Sequence, residues 1–161
     1  MRNINKVIVH CSATPEGKAF SVADIRRWHL QRGFSDIGYH FVVYLDGSVH
    51  VGRPLHKSGA HCIGQNKNSV GVCYIGGVAT DGKTPKDTRT DTQKASLVKL
   101  ITELRQQFPN ASVHGHREFT CQRGKYEADF NISECSRECT ACKFANKACP
   151  CFDAHKEYND L

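Results

Sequence analysis

His10, Tyr39, His116, Lys147 and Cys149 lie far apart along the chain, yet together they supply the parts of a hydrolytic metal site. Neutral imidazole and thiolate are borderline-soft donors suited to zinc, and two histidines with one cysteine leave a fourth tetrahedral position open. That opening distinguishes a catalytic zinc from a closed structural one.

Elements that could carry these residues to one place can be read from the hydrophobic pattern. Val7-Ile8-Val9-His10 reads as a short buried strand ending on the histidine, and Cys11 to Gly17 as a loop. Ser21 with Asp24 three residues on resembles a capping box, and Val22, Ile25, Trp28 and His29 recur at helical spacing, which predicts a helix over 21–32 stopped by Gly33. Tyr39 to Leu45 is rich in aromatic and branched residues and turns at Asp46-Gly47 into Ser48-Val49-His50-Val51, so Tyr39 opens a hairpin. In a regular strand His40 points away from Tyr39 and belongs in the core.

Ser69 to Ile75 is another strand, broken by Gly76-Gly77, and 80–91 is a polar loop. Thr90 and Gln93 cap a helix whose face is Leu97, Leu100, Ile101, Leu104 and Phe108 and which Pro109 ends. Ser112-Val113-His114 delivers His116 just past a strand end, and 152–158 forms a last short helix. Strands and helices mixed along one chain predict an α/β class: a single mixed β-sheet flanked by helices around one core.

A chain of 161 residues can bury a core without disulfides, so its nine cysteines are not required as staples. The apolar stretch after the charged start is too short for a signal-peptide core, and no segment approaches a membrane span. The chain is therefore expected to fold in the cytoplasm where it is made, with thiols reduced and metal favoured over bridges. A formal net charge of +6, spread rather than blocked, would suit an anionic partner: nucleic acid, membrane or cell-wall polymer.

Ordered short motifs narrow that choice. Val9-His10-Cys11-Ser12-Ala13-Thr14, Ile25-Arg26-Arg27-Trp28-His29, Gly38-Tyr39-His40-Phe41, Val51-Gly52-Arg53, Gly59-Ala60-His61, Asn66 through Gly71, Gly115-His116-Arg117-Glu118 and Lys147-Ala148-Cys149-Pro150 occur in one succession. The chain thereby resembles the zinc-dependent N-acetylmuramoyl-L-alanine amidases, the family that includes amidase-type phage lysozymes and the peptidoglycan recognition proteins. The resemblance runs from Lys6 to Glu118 and again from Asn146 to Tyr158. It implies that His10, His116 and Cys149 hold Zn2+, that Tyr39 and Lys147 are catalytic, and that His61, Asn66, Asn68 and Arg53 meet the substrate. Side-chain amides suit a peptide backbone, and a guanidinium suits a stem-peptide carboxylate.

Between the second and third ligands that pattern is interrupted. At about 120–146 the apolar periodicity disappears and Cys121, Cys135, Cys139 and Cys142 stand among polar residues, an insertion compatible with a second structural zinc, with disulfides or with free thiols. Cys151 could serve either cluster; Cys11, Cys62 and Cys73 read as small buried apolar residues.

The resemblance implies hydrolysis of the amide joining N-acetylmuramic acid to L-alanine in peptidoglycan, by a monomer acting on wall polymer or muropeptides as an endolysin or a recycling enzyme. A non-catalytic recognition module for wall fragments would share the fold, but members that only bind tend to lack the cysteine ligand, which is here Cys149. Nucleic acid as a partner of the basic insert is disfavoured; a salt-dependent binding test would reveal it.

Overall fold

The computed structural model describes residues 2–119 and 148–161. Lys147 and the insertion cysteines Cys121, Cys135, Cys139 and Cys142 lie outside the described residues.

Five strands form one sheet: β1 (Lys6–Cys11), β3 (Phe41–Val43), β4 (Val49–Val51), β5 (Ser69–Tyr74) and β7 (Ser112–Gly115), in the spatial order β4-β3-β5-β1-β7. β3, β5, β1 and β7 run parallel and β4 is antiparallel at the edge, so the sheet is mixed as expected. β1 and β5 are buried along almost their whole length, consistent with their near-continuous apolar runs. Gly47, with φ of 85°, makes the β3–β4 turn. Asp46 stabilises it by accepting from the Ser48 amide at 2.8 Å.

Alternation along β1 sends Val7, Val9 and Cys11 to one face and Ile8 and His10 to the other. On the first face α2 (Asp91–Gln107) lays Leu97, Leu100, Ile101 and Leu104 against Val7, Val9, Val70, Val72 and Val113. On the opposite side Ile25 of α1 (Val22–Gln31) joins Ile37, Val42 and Ile75. Both predicted capping boxes form: the Ser21 and Thr90 hydroxyls accept from the amides of Asp24 and Gln93, whose side chains accept in return from the cap amides. Each such cap is worth about 1 kcal/mol.

Two details depart from the sequence reading. Tyr39 does not open a strand; regular pairing begins at Phe41, because Gly38 and Tyr39 are drawn aside to bond the loops beyond. The Gly38 carbonyl accepts from the Ala60 amide at 3.0 Å and the Tyr39 carbonyl from the Arg53 amide at 2.9 Å. The Cys11–Gly17 loop and the Gly76-Gly77 break also contain a small parallel pair, β2 (Thr14–Pro15) with β6 (Gly77–Val78). Glycines at φ of 135° and 100° let the chain turn sharply there while keeping its bonds.

After the undescribed stretch the chain returns as a turn at 149–151 and the short helix α3 (Ala154–Tyr158), which packs beside β7. No helix among the described residues is long and apolar enough to cross a membrane.

Candidate active site

His10 is the fifth residue of β1, on the face opposite α2, and its in-register neighbour on β5 is Cys73. β7 ends one residue before His116, which opens a 3-10 turn (His116–Phe119). Glu118 fixes this turn, its carboxylate accepting from the Gly115 amide and from His114 Nδ1, each at 2.7 Å. Cys149 comes from the returning segment, where the Pro150 carbonyl accepts from the buried Tyr74 hydroxyl at 2.6 Å. A side chain at Gly115 would sit 2.7 Å from Pro150 Cδ, so the bare glycine lets this turn pack on β7.

These elements bring the His10, His116 and Cys149 ligand atoms within 4.8 Å of one another. His10 Nδ1 is 3.9 Å from Cys149 Sγ, against about 3.6 Å for a nitrogen and a sulfur on one tetrahedral zinc. The donor set therefore fits zinc. The Cys11 amide donates to Cys149 Sγ at 3.3 Å. The Tyr39 ring lies 5.0 Å from that of His10 and 5.3 Å from that of His29. Burial, reinforced by the neighbouring cysteines, holds its phenol well above the usual tyrosine range, so it is a neutral donor at ordinary pH.

His61 is 8% exposed and both its ring nitrogens have protein partners: Nδ1 is 2.9 Å from His10 Nε2, and Nε2 is 3.3 Å from Ser69 Oγ. Asn66 Oδ1 accepts from the amides of His61 and Cys62, and Asn68 Nδ2 donates to the Asn3 carbonyl. Arg53 donates to the carbonyls of Ile37, Ser58 and Asp36. Each of these four side chains thus bonds the protein's own groups. His40 is fully buried, its Nδ1 accepting from the Gly71 amide at 2.9 Å.

With this geometry in view, comparison with known proteins is decisive. The family model described as N-acetylmuramoyl-L-alanine amidase matches residues 1–150. The chain belongs to that amidase family. An endolysin of Klebsiella phage KP32 is 34% identical over 159 residues, covering 98% of this chain and 88% of the relative. A peptidoglycan-recognition protein of Drosophila melanogaster is 30% identical over 118 residues, 70% of this chain and 63% of that protein. Among solved structures, the N-acetylmuramoyl-L-alanine amidase LysC from Clostridium intestinale superposes with a TM-score of 0.63 at 26% identity, covering 73% of each chain.

Sequence reasoning about this amidase-family chain left Glu118 and Ser69 without roles, though both stood inside its motifs. Glu118 had a usable signal, an acid three residues after the glycine whose amide it accepts. His114, Glu118 and His155 form a second close group of potential ligands. There His114 bonds Glu118 and Ser112, and His155 Nδ1 donates to the Val113 carbonyl at 2.8 Å, so it serves as a brace for the β7 end.

Proposed function

We propose that this protein hydrolyses the amide between N-acetylmuramic acid and L-alanine in peptidoglycan, using zinc held by His10, His116 and Cys149. The observation that carries the reading is the convergence of those donor atoms beside the Tyr39 ring. Zinc, when bound, lowers the pKa of a water and polarises a carbonyl. The rest falls to the chain's own groups. The neutral Tyr39 phenol orients the attacking water, and the Lys147 ammonium, carried over by resemblance, offsets negative charge on the scissile carbonyl oxygen. Arg53, Asn66 and Asn68 would shape the substrate loops through the backbone bonds they make. The phage endolysin relative supports action on the wall after release from the cytoplasm.

Metal content per chain, with a chelator-sensitive assay for new L-alanine amino termini released from purified peptidoglycan, tests this reading. The expected result is at least one zinc and release that stops on chelation. Wall fragments bound without release would instead support the recognition reading, which the peptidoglycan-recognition relative keeps in view. A second zinc would be consistent with a structural site among Cys121, Cys135, Cys139 and Cys142.

A further inference from the structure

We infer that His61 is a positioning residue for the metal site: through a directed chain of hydrogen bonds from Gln65 it sets the tautomer of His10 so that the Nδ1 lone pair faces Cys149. This rests on the zinc reading above and assigns His61 a role toward the ligand rather than the substrate.

The direction of the chain follows from its end. A backbone carbonyl can only accept, so the Ser69 hydroxyl donates to the Gln65 carbonyl at 2.9 Å. Ser69 Oγ then accepts from His61 Nε2 at 3.3 Å, which leaves His61 Nδ1 as the bare nitrogen of a neutral imidazole. His61 Nδ1 accepts in turn from His10 Nε2 at 2.9 Å. With its hydrogen on Nε2, His10 carries its lone pair on Nδ1, the atom 3.9 Å from Cys149 Sγ.

Packing confines the same ring. The His61 ring lies against two bare glycine backbones: a Cβ at Gly71 would sit 2.5 Å from Cδ2 and 2.6 Å from Cγ, and one at Gly59 2.5 Å from Cδ2. The Asn66 side chain holds the backbone on either side of that ring through the amides of His61 and Cys62. A group held on its faces by packing and at both nitrogens by hydrogen bonds has the character of an outer-shell partner, whose loss typically costs about 10–100-fold in metal affinity.

The test compares wild type with His61→Asn, His61→Leu and Ser69→Ala. Asn places an oxygen acceptor near the position of Nδ1, whereas Leu fills the space without an acceptor. The zinc dissociation constant, by competition with a chromophoric chelator, is expected to rise about 10–100-fold in His61→Leu and by much less in His61→Asn and Ser69→Ala. Nitrogen-15 histidine spectra of the metal-free wild type should show His10 protonated on Nε2, and zinc should then shift Nδ1. Unchanged zinc affinity in His61→Leu, or His10 protonated on Nδ1, would overturn the relay. Wild type that fails to bind zinc would sink the metal reading itself, while the metal-free spectra still decide the tautomer. If His61→Leu does not fold, those spectra and the His61→Asn affinity carry the decision.

Discussion

The Arg117 amide donates to the Cys149 carbonyl at 2.8 Å, tying the residue after one proposed ligand to the backbone of another. An ion pair at 3.5 Å between Arg117 and Asp153 bridges the same two segments. These contacts hold the His116 and Cys149 segments at a defined spacing. β7, the turn at 149–151 and these cross-links set it, which makes the donor set a property of the folded core.

Replacing Cys149 with alanine should accordingly abolish zinc binding and amide hydrolysis while leaving the fold intact. The side chain sits at the margin of the core, and its neighbours are held by backbone bonds that alanine preserves. Circular dichroism and thermal melts matched against metal-free wild type would check the fold, and amino-terminus release the activity. Full turnover by the variant would end the zinc assignment.

Tyr39→Phe retains the ring that packs between His10 and His29 and deletes only the hydroxyl. Loss of a proton-handling group typically costs about 100-fold or more in rate, so kcat should fall by that order with KM and zinc content little changed. Lys147→Ala should likewise lose rate more than binding. A pure rise in KM for either variant would assign it to substrate binding instead.

Acid should destabilise the fold before it protonates most carboxylates. His29 and His40 are both held down to about 4, first by burial, with Arg32 and Arg53 adding to the effect at His29, and Arg2 and Arg53 at His40. Folded pKa values below the unfolded one mean full stability above about pH 6.5 and progressive loss as pH falls from there to about 4, because the unfolded chain takes up the protons first. The slope should approach about 1.4 kcal/mol per pH unit for each histidine. Urea midpoints at pH 7, 6 and 5 would measure it; a midpoint constant over that span would contradict the burial argument. His29→Asn, which can still accept from the Gly38 amide, should flatten the curve.

Most of the architecture was legible in the sequence because local rules and global packing agree there. The two capping boxes, the apolar face of α2 and the uninterrupted runs of β1 and β5 each point to the structure that forms. The convergence of His10, His116 and Cys149 was legible through ordered motifs, since no periodicity relates residues so far apart. What escaped depends on tertiary register. The bond from His10 to His61 exists because β1 lies against β5 with Ser69 opposite Lys6, and nothing in the neighbourhood of either histidine announces it. Tyr39 reads as a strand residue because its surroundings have strand composition, whereas the competing bonds to Ala60 and Arg53 come from loops whose paths the sequence leaves open.

Arg89, unmarked by any sequence pattern, is buried at the junction of the returning segment and α2. Its side chain, 2% exposed, forks onto Asp87 at 2.8 and 2.9 Å and onto Glu157 at 2.8 and 3.0 Å, donates to the Tyr158 hydroxyl and stacks on the Phe152 ring with Cζ 3.3 Å from the centroid. Every partner except Asp87 belongs to the segment that brings Cys149 home, so Arg89 is the clamp between that segment and the start of α2. Arg89→Leu would remove these bonds and leave Asp87 and Glu157, both exposed, to be solvated by water, at a cost of roughly 1–2 kcal/mol, or about 5 °C in Tm. Zinc affinity should fall with it, because Cys149 loses the anchor of its own segment. A single variant that melts within a degree or two of wild type would show that the tail is held by its apolar contacts alone.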